Sequence, residues 1–284
     1  MAEQSTTAPA GRQLLSARRA ALLAAGVAVV TAVPACGGAG AAVSHLYRLT
    51  AMRSPAGQAE ILLTPQAPVR GLVLFEHGYG EDQSALVRIR DLFGLRDALM
   101  RAGLAIAASN SHGNNMGGPA SVADQTDLLA DAERRLAGVP AVGVIGFSMG
   151  GLDALMVASR HVLPDLRAVV VISGMCDQIA FLGDRVGHLG RAIRTALAPG
   201  LHGAAAVAAV ARSDPERQNP QSFAGYRYWF WQSPADRIVY PSQASGMVAF
   251  LRRAGITARL SALDGNHGDL SRLRPDLIAA FVQG

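Results

Sequence analysis

The segment Gly146-Phe147-Ser148-Met149-Gly150-Gly151 constrains the fold more than any other part of this sequence. It follows the apolar run 141–145 and precedes residues 152–161, whose apolar positions recur at helical spacing. A strand, a Gly-x-Ser-x-Gly sequence and a helix in this order predict a sharp turn that exposes the Ser148 hydroxyl. The flanking glycines leave room for that turn, and the positive end of the helix favours negative charge beside the serine. Ser148 is therefore a candidate nucleophile.

Short apolar runs alternate with helical segments along most of the chain. This alternation predicts βαβ units and an α/β fold with a doubly wound, mainly parallel sheet. The predicted strands span 45–51, 59–64, 71–76, 104–108, 141–145, 168–173, 226–232 and 256–263, and the predicted helices span 86–101, 121–136, 152–161, 242–254 and 270–282. Ser121, with Asp124 three residues later, is the expected N-cap of the second helix. The alternation breaks at about 177–222, where we expect a helical cap over the sheet edge.

Composition excludes several classes of protein. Half of the 284 residues are hydrophobic and 17% are charged, which is typical of a globular chain. All 26 basic residues are arginine, yet the formal net charge is only +5 and the charges are scattered. This distribution does not predict a nucleic-acid-binding surface. The cysteine and histidine spacing does not predict a metal site.

The first 35 residues are predicted to be an export signal. Arg18-Arg19 precedes the apolar run 20–33, which is short for a membrane span and resembles a twin-arginine signal. The run ends in Val33-Pro34-Ala35-Cys36, which resembles a bacterial lipobox with Cys36 as the lipidated residue. Ordinary cleavage after Ala35 and a single-span anchor are the alternatives. An exported protein at the cell envelope or outside the cell, tethered to the membrane if Cys36 is lipidated, is the resulting expectation.

The residues around the two cysteines lead to two further expectations. Residues 36–44 are predicted to be a flexible tether, and the folded domain is expected to span 45–284. Cys176 is expected to be a buried, unreactive thiol, with a disulfide to Cys36 as the alternative.

Ser148, Asp236 and His267 each follow a predicted strand, in that order along the chain. From residue 45 to the end, the chain resembles the α/β-hydrolases, whose nucleophile, acid and histidine have this order and placement. The resemblance implies that His267 takes the Ser148 proton and that Asp236 orients the imidazole. Asp264 and Asp269 are rival acids, but they lie on the same loop as His267.

The sequence His77-Gly78-Tyr79-Gly80 follows the strand 71–76 and resembles the His-Gly loop of that family. The resemblance implies an oxyanion hole made of the Tyr79 and Met149 amides. His77 is expected to brace the loop. His77, His112 and Asn114 are tentative substrate-binding residues, although for the last two we favour a self-bonded polar loop.

These residues together predict a serine hydrolase, most simply a carboxylesterase acting on a small-molecule or lipid ester through an acyl-enzyme. The resemblance implies no metal and no cofactor. A peptidase of the prolyl-oligopeptidase type and an acyltransferase would use the same residues, and a non-catalytic envelope lipoprotein is the remote alternative. Arg185, Arg191 and Arg194 of the predicted cap either contact an anionic substrate or, as we favour, form its solvated face.

Overall fold

A computed structural model of the chain describes residues 41–43, 45–183 and 188–284. Its nine strands form one sheet in the order β1-β2-β3-β5-β4-β6-β7-β8-β9. The strands are β1 Ala41–Val43, β2 Tyr47–Arg53, β3 Ala59–Pro65, β4 Gly71–Glu76, β5 Leu104–Ser109, β6 Ala141–Phe147, β7 Ala168–Ile172, β8 Arg227–Gln232 and β9 Ala258–Ala262. The pairs from β5 through β4 to β9 are parallel, whereas β1, β2, β3 and β5 pair antiparallel. The predicted, mainly parallel sheet is confirmed.

Helices cover both faces of the sheet. They are α1 Ala85–Arg88, α2 Phe93–Arg101, α3 Pro119–Arg135, α4 Gly150–Ser159, α5 Ile179–Leu182, α6 His188–Leu197, α7 Gly203–Ala211, α8 Pro241–Arg253 and α9 Pro275–Gln283, with 3-10 turns at Arg90–Leu92, Pro215–Arg217 and Pro220–Phe223. Apolar residues of α3, α4 and α8 share one buried cluster with the sheet, and those of α1, α2 and α9 share a second cluster on the other face. The sheet is therefore doubly wound, as predicted, because alternate residues of each buried strand face opposite helix layers.

The predicted helix 86–101 is wrong as a continuous element. Ile89 leaves the helical conformation, with φ −87° and ψ 111°, and a 3-10 turn separates α1 from α2. Leu86, Ile89, Leu92 and Leu95 recur at intervals of three, which drifts about 60° per step around an α-helix. The break resets this drift, so that all four side chains pack into or against the same core cluster.

Two other helix starts differ from prediction because proline begins each helix. Pro119, rather than Ser121, opens α3, and the Ser121 hydroxyl lies inside the helix and donates to the Asp153 carboxylate. Pro275 opens α9, so residues 270–274 form turns instead of helix. Proline suits the first helical position because its fixed φ is helical and its missing N–H would have had no partner there.

The predicted tether is corrected at its end. Ala41–Val43 is a strand that pairs antiparallel with residues 48–50 of β2, so backbone hydrogen bonding extends the sheet into this glycine- and alanine-rich segment. Residues 36–40 and 44, together with the predicted export signal, lie outside the described residues. Within the described part of the chain, no helix is long and apolar enough to cross a membrane.

The predicted cap is the region between β7 and β8. Its helices α5, α6 and α7 enclose an apolar cluster that includes Phe181, Ile193 and Val210. The same cluster contains Met149 and Leu152, so the cap packs directly against the turn that carries Ser148. Cys176, at the base of the cap, is a buried free thiol, as expected.

Candidate active site

The Ser148 turn is held in a conformation that only close backbone packing allows. Ser148 has φ +53°, a left-handed conformation that non-glycine residues rarely adopt. A Cβ on Gly146 would lie 2.2 Å from the Gly150 carbonyl oxygen, and a Cβ on Gly150 would lie 2.1 Å from the Glu76 carbonyl oxygen. The predicted strand-turn-helix is thus confirmed, and glycine is required at both positions because no side-chain carbon fits.

Ser148, His267 and Asp236 form a continuous chain of hydrogen bonds. Ser148 Oγ lies 2.8 Å from His267 Nε2, and His267 Nδ1 lies 2.8 Å from Asp236 Oδ2. Because a carboxylate only accepts, Nδ1 carries the proton and Nε2 is left to accept the hydrogen of the Ser148 hydroxyl. Phe147 lies against the imidazole with a ring-centroid separation of 6.2 Å and restricts its orientation.

Asp236 is fully buried as a side chain but well supplied with donors. Its Oδ1 accepts the Ile238 and Val239 amides at 2.9 and 3.0 Å, and its Oδ2 also accepts from the Gln232 side-chain amide at 2.9 Å. Burial acts to raise the pKa of Asp236, but the hydrogen bond and charge of His267 and the two backbone amides outweigh it and lower the pKa. The carboxylate is therefore charged at neutral pH and able to stabilise an imidazolium.

The rival acids of the His267 loop are engaged elsewhere. Asp264 Oδ2 lies 2.5 Å from Arg272 Nε, and Asp269 Oδ1 accepts the Ser271 amide at 3.0 Å. Their short loop does not bring them to the far nitrogen of the imidazole, which the β8 loop approaches from a separate strand end. Asp236 is the acid that contacts His267.

Two backbone amides beside Ser148 are available for an oxyanion. Met149 is the N-cap of α4, and within the described residues neither its amide nor that of Tyr79 makes a hydrogen bond. The loop that carries Tyr79 is fixed on both sides, because the Gly78 amide donates to Glu81 Oε2 at 3.0 Å and the Gly80 amide donates to Asn114 Oδ1 at 2.7 Å. We call residues 77–80 the oxyanion loop, after the role that the sequence predicts for the Tyr79 amide.

Two of the tentative substrate-binding residues are engaged in contacts within the protein. His77 is buried, with Nδ1 2.8 Å from the Gly78 carbonyl and Nε2 3.1 Å from the Asn110 carbonyl, so it braces the loop. His112 is held by the Gln58 side chain at 3.2 Å and by Asp124 at 3.2 Å, so both ring nitrogens are occupied away from Ser148. Asn114, in contrast, lines a cavity beside Tyr79.

Sequence reasoning missed the residues that position these groups. The Gln232 side-chain amide bridges Asp236 Oδ2 and the Val239 carbonyl, both at 2.9 Å, and so fixes the β8 loop. Ser233 Oγ donates to the Gly265 carbonyl at 2.5 Å and joins that loop to the His267 loop. The only sequence signal for Gln232 and Ser233 was their position a few residues before the predicted acid, Asp236.

Two cavities are lined by residues of the candidate site. One, of about 390 Å³, lies between the oxyanion loop and the cap helix α6. The other, of about 480 Å³, is lined by His267 with Asp91, Asp269 and the turn that follows it. Within the described residues, no group of three or more His, Cys, Asp or Glu side chains is placed so that it could hold a metal ion.

Comparison with known proteins gives structural but not sequence relatives. No family model and no curated protein matches this sequence. The esterase domain of a Rhodothermus marinus protein is 17% identical, with a TM-score of 0.58 over 84% of this chain and 98% of that domain. A cold-adapted esterase from an Arctic intertidal metagenomic library is 14% identical, with a TM-score of 0.58 over 87% and 98% of the two chains.

A peptidase is also among the similar structures. The puromycin-hydrolysing peptidase of Mycobacterium tuberculosis is 17% identical, with a TM-score of 0.63 over 85% of this chain but only 40% of the peptidase. Likeness at these identities establishes the fold alone. The chain has the α/β-hydrolase fold, as the sequence predicted.

Proposed function

We propose that this protein is a serine hydrolase that cleaves carboxylic esters through an acyl-enzyme on Ser148. The observation that carries the proposal is the unbroken hydrogen-bonded series from Ser148 through His267 to Asp236. A serine hydroxyl is a weak nucleophile at neutral pH unless a base removes its proton during attack. Here the base lies at hydrogen-bond distance and is itself oriented by a buried carboxylate.

The proposed reaction has two halves. His267 Nε2 takes the Ser148 proton as Oγ attacks the ester carbonyl, and the carbonyl oxygen becomes an anion facing the Met149 and Tyr79 amides. His267 then gives the proton to the departing alkoxide. The alcohol is released, and the acyl group stays on Ser148 as an acyl-enzyme. Water enters, His267 takes its proton, and collapse of the second tetrahedral species returns the proton to Ser148 and releases the acid. Asp236 stays ionised throughout.

An ester is favoured over a peptide by the extent of the structural matches. This chain spans 98% of each of the two esterases named above and 40% of the peptidase. A peptidase activity remains a defined outcome of the test, because the same residues cleave amides, and an acyltransferase would transfer the acyl group to an added alcohol.

The test measures hydrolysis of 4-nitrophenyl esters of increasing chain length beside alanine- and proline-linked amide substrates. We expect ester turnover and fluorophosphonate labelling in wild type, neither in Ser148→Ala, and both in the control Ser245→Ala, which removes an exposed hydroxyl of α8. Labelling that persists in Ser148→Ala would exclude Ser148 as nucleophile. Amide turnover exceeding ester turnover would assign the protein to the peptidases.

We also propose that the chain is exported and lipidated on Cys36. The support is the sequence alone: paired arginines, a short apolar run and a lipobox-like segment. Cells fed an alkyne fatty acid should label the wild-type chain and not Cys36→Ser. Label that remains on Cys36→Ser would reject this attachment site.

A further inference from the structure

Two loops and the cap helix α6 line the cavity of about 390 Å³ beside the oxyanion loop. Tyr79 of the oxyanion loop and Asn114 line one side of it, and His188, Arg191 and Thr195 of α6 line the other. The Tyr79 and His188 rings approach within 5.8 Å and mark where the two walls meet. A substrate group that extends from the oxyanion loop into this cavity therefore contacts the polar face of α6.

The α6 wall is positively charged. A neighbouring cavity of about 360 Å³ shares Arg191 and Thr195 and adds Arg194 and His202. Among the described residues that line these two cavities, none carries a carboxylate. Within the same part of the chain Arg191 has no hydrogen bond or ion pair, whereas Arg194 donates to the Leu182 carbonyl at 3.0 Å. The exposed Arg191 guanidinium is thus an uncommitted cation that lines the cavity beside the oxyanion loop.

The cavity of about 480 Å³ shares no lining residue with the first and has the reverse charge. His267 lines it together with the carboxylates of Asp91 and Asp269. Since His267 must give its proton to the leaving alkoxide, the alcohol part of an ester lies on this side. The acyl chain then extends in the other direction, past Tyr79 and toward Arg191.

We infer that the acyl group of the preferred ester carries a carboxylate, which Arg191 binds across the cavity beside the oxyanion loop. The inference rests on the proposed ester hydrolysis and names its substrate class, half-esters of dicarboxylic acids. Arginine presents paired donors that match a carboxylate, and the Thr195 hydroxyl and the Asn114 amide line the same space. Arg191 takes no part in bond making; one water converts the half-ester to the free diacid and the alcohol.

The test compares three esters of equal carbon count that differ in terminal charge. They are mono-4-nitrophenyl adipate, 4-nitrophenyl hexanoate and 4-nitrophenyl 6-aminohexanoate. We expect wild type to have the highest kcat/KM for the adipate and the lowest for the amine, and this spread to shrink as salt screens the exposed guanidinium. Arg191→Gln should lower the adipate-to-hexanoate ratio of kcat/KM by about tenfold or more, the effect of losing a charge-assisted hydrogen bond, and Arg191→Lys should restore part of it.

The control is Arg70→Gln, which makes the same charge change at the start of β4, one strand length from the oxyanion loop. A ratio that does not favour adipate in wild type, or that falls equally in both variants, overturns the inference. A second measurement does not depend on turnover: calorimetry of monomethyl adipate with Ser148→Ala should show binding that the added Arg191→Gln change removes. Hexanoate turnover without adipate preference rejects only this inference. If no ester is hydrolysed, the proposed function fails and calorimetry alone decides the anion site.

Discussion

The turn around Ser148 and the cap differ in what holds them. A Cβ on Gly146 or Gly150 would overlap backbone atoms of neighbouring elements, whereas a Cβ on Gly183 or Gly200 of the cap would meet nothing within 4 Å. The reacting atoms are placed by backbone contacts that tolerate no added carbon. The cap, by contrast, presents exposed side chains such as Arg191 and Thr195 to a cavity. In the proposed function, reaction and substrate choice are therefore carried by parts of the molecule with different tolerance to substitution.

The largest expected effect tests the hydrogen bond between His267 and Asp236. Asp236→Asn should lower kcat about 10⁴-fold, because an amide cannot stabilise the imidazolium and favours the wrong tautomer of His267. Stopped-flow or steady-state hydrolysis of 4-nitrophenyl hexanoate gives the value. Asp264→Asn and Asp269→Asn are the matched controls and should stay within a few-fold of wild type. A loss in either control equal to that of Asp236→Asn would reassign the acid.

A smaller effect is expected when one carbon is added to a glycine of the Ser148 turn and to a glycine of the cap. Gly150→Ala should lower the free energy of unfolding by about 3 kcal/mol or more, since its Cβ would lie 2.1 Å from a backbone oxygen that cannot move alone. Gly183→Ala in the cap should change it by less than about 0.5 kcal/mol. Urea denaturation followed by tryptophan fluorescence measures both. Similar losses of unfolding free energy in the two variants would mean that the Ser148 turn and the cap tolerate an added carbon equally.

A moderate effect is expected where the two regions meet. Asn114→Leu removes the acceptor that holds the Gly80 amide and loosens the oxyanion loop. We expect kcat for 4-nitrophenyl hexanoate to fall about two- to tenfold, the range for one neutral hydrogen bond. Asn114→Asp keeps an acceptor oxygen and should recover most of the rate. If both variants fall alike, the lost bond is not the reason.

The smallest effect concerns how the cap is fastened. Asp214 accepts the Gln178 and Ile179 amides at 3.0 and 2.9 Å and so joins the end of the cap to its beginning. Burial, aided by the charge of Asp177, raises the pKa of Asp214 to about 7 from 3.8, although backbone hydrogen bonds oppose the rise. The folded state then holds a proton that the unfolded state has lost, so this contribution to stability is present below about pH 4 and disappears as the pH rises through 7.

Asp214→Asn isolates that contribution because an amide does not titrate. The difference in unfolding free energy, wild type minus variant, should decrease between about pH 4 and pH 7 and then level off. Chemical denaturation at a series of pH values measures the difference, and any constant offset from altered hydrogen bonding cancels from its slope. A difference that rises with pH would mean that the folded state favours the charged carboxylate.

Sequence order was enough to place Ser148, Asp236 and His267 together, because each follows a strand and all parallel strands end at one sheet edge. Ser148, Asp236 and His267 needed no knowledge of side-chain packing. The roles of His77 and His112 did, since their partners lie 33 and 54 residues away. A ring nitrogen that faces a distant carbonyl has the same sequence signature as one that faces a substrate.

The errors in the fold have a similar cause. The strand β1 is only three residues long and forms by pairing with β2, so its own composition does not reveal it. Ser121 has the residue type of an N-cap, but Pro119 starts the helix earlier and leaves the serine to bond Asp153. Elements fixed by local pattern were predictable, whereas those fixed by a partner strand or a neighbouring helix were not.

His267, the proposed general base, follows the least buried strand of the parallel sheet. Strand β9 lies at the edge of the sheet and exposes three of its five residues, whereas β4, β6 and β7 are buried throughout. The loop that follows β9 carries His267. Edge elements with exposed backbone bonds open at a lower free energy than the interior of a sheet. We therefore expect gradual denaturation to separate His267 from a still-folded Ser148 turn first, so that the proposed activity is lost before the protein unfolds.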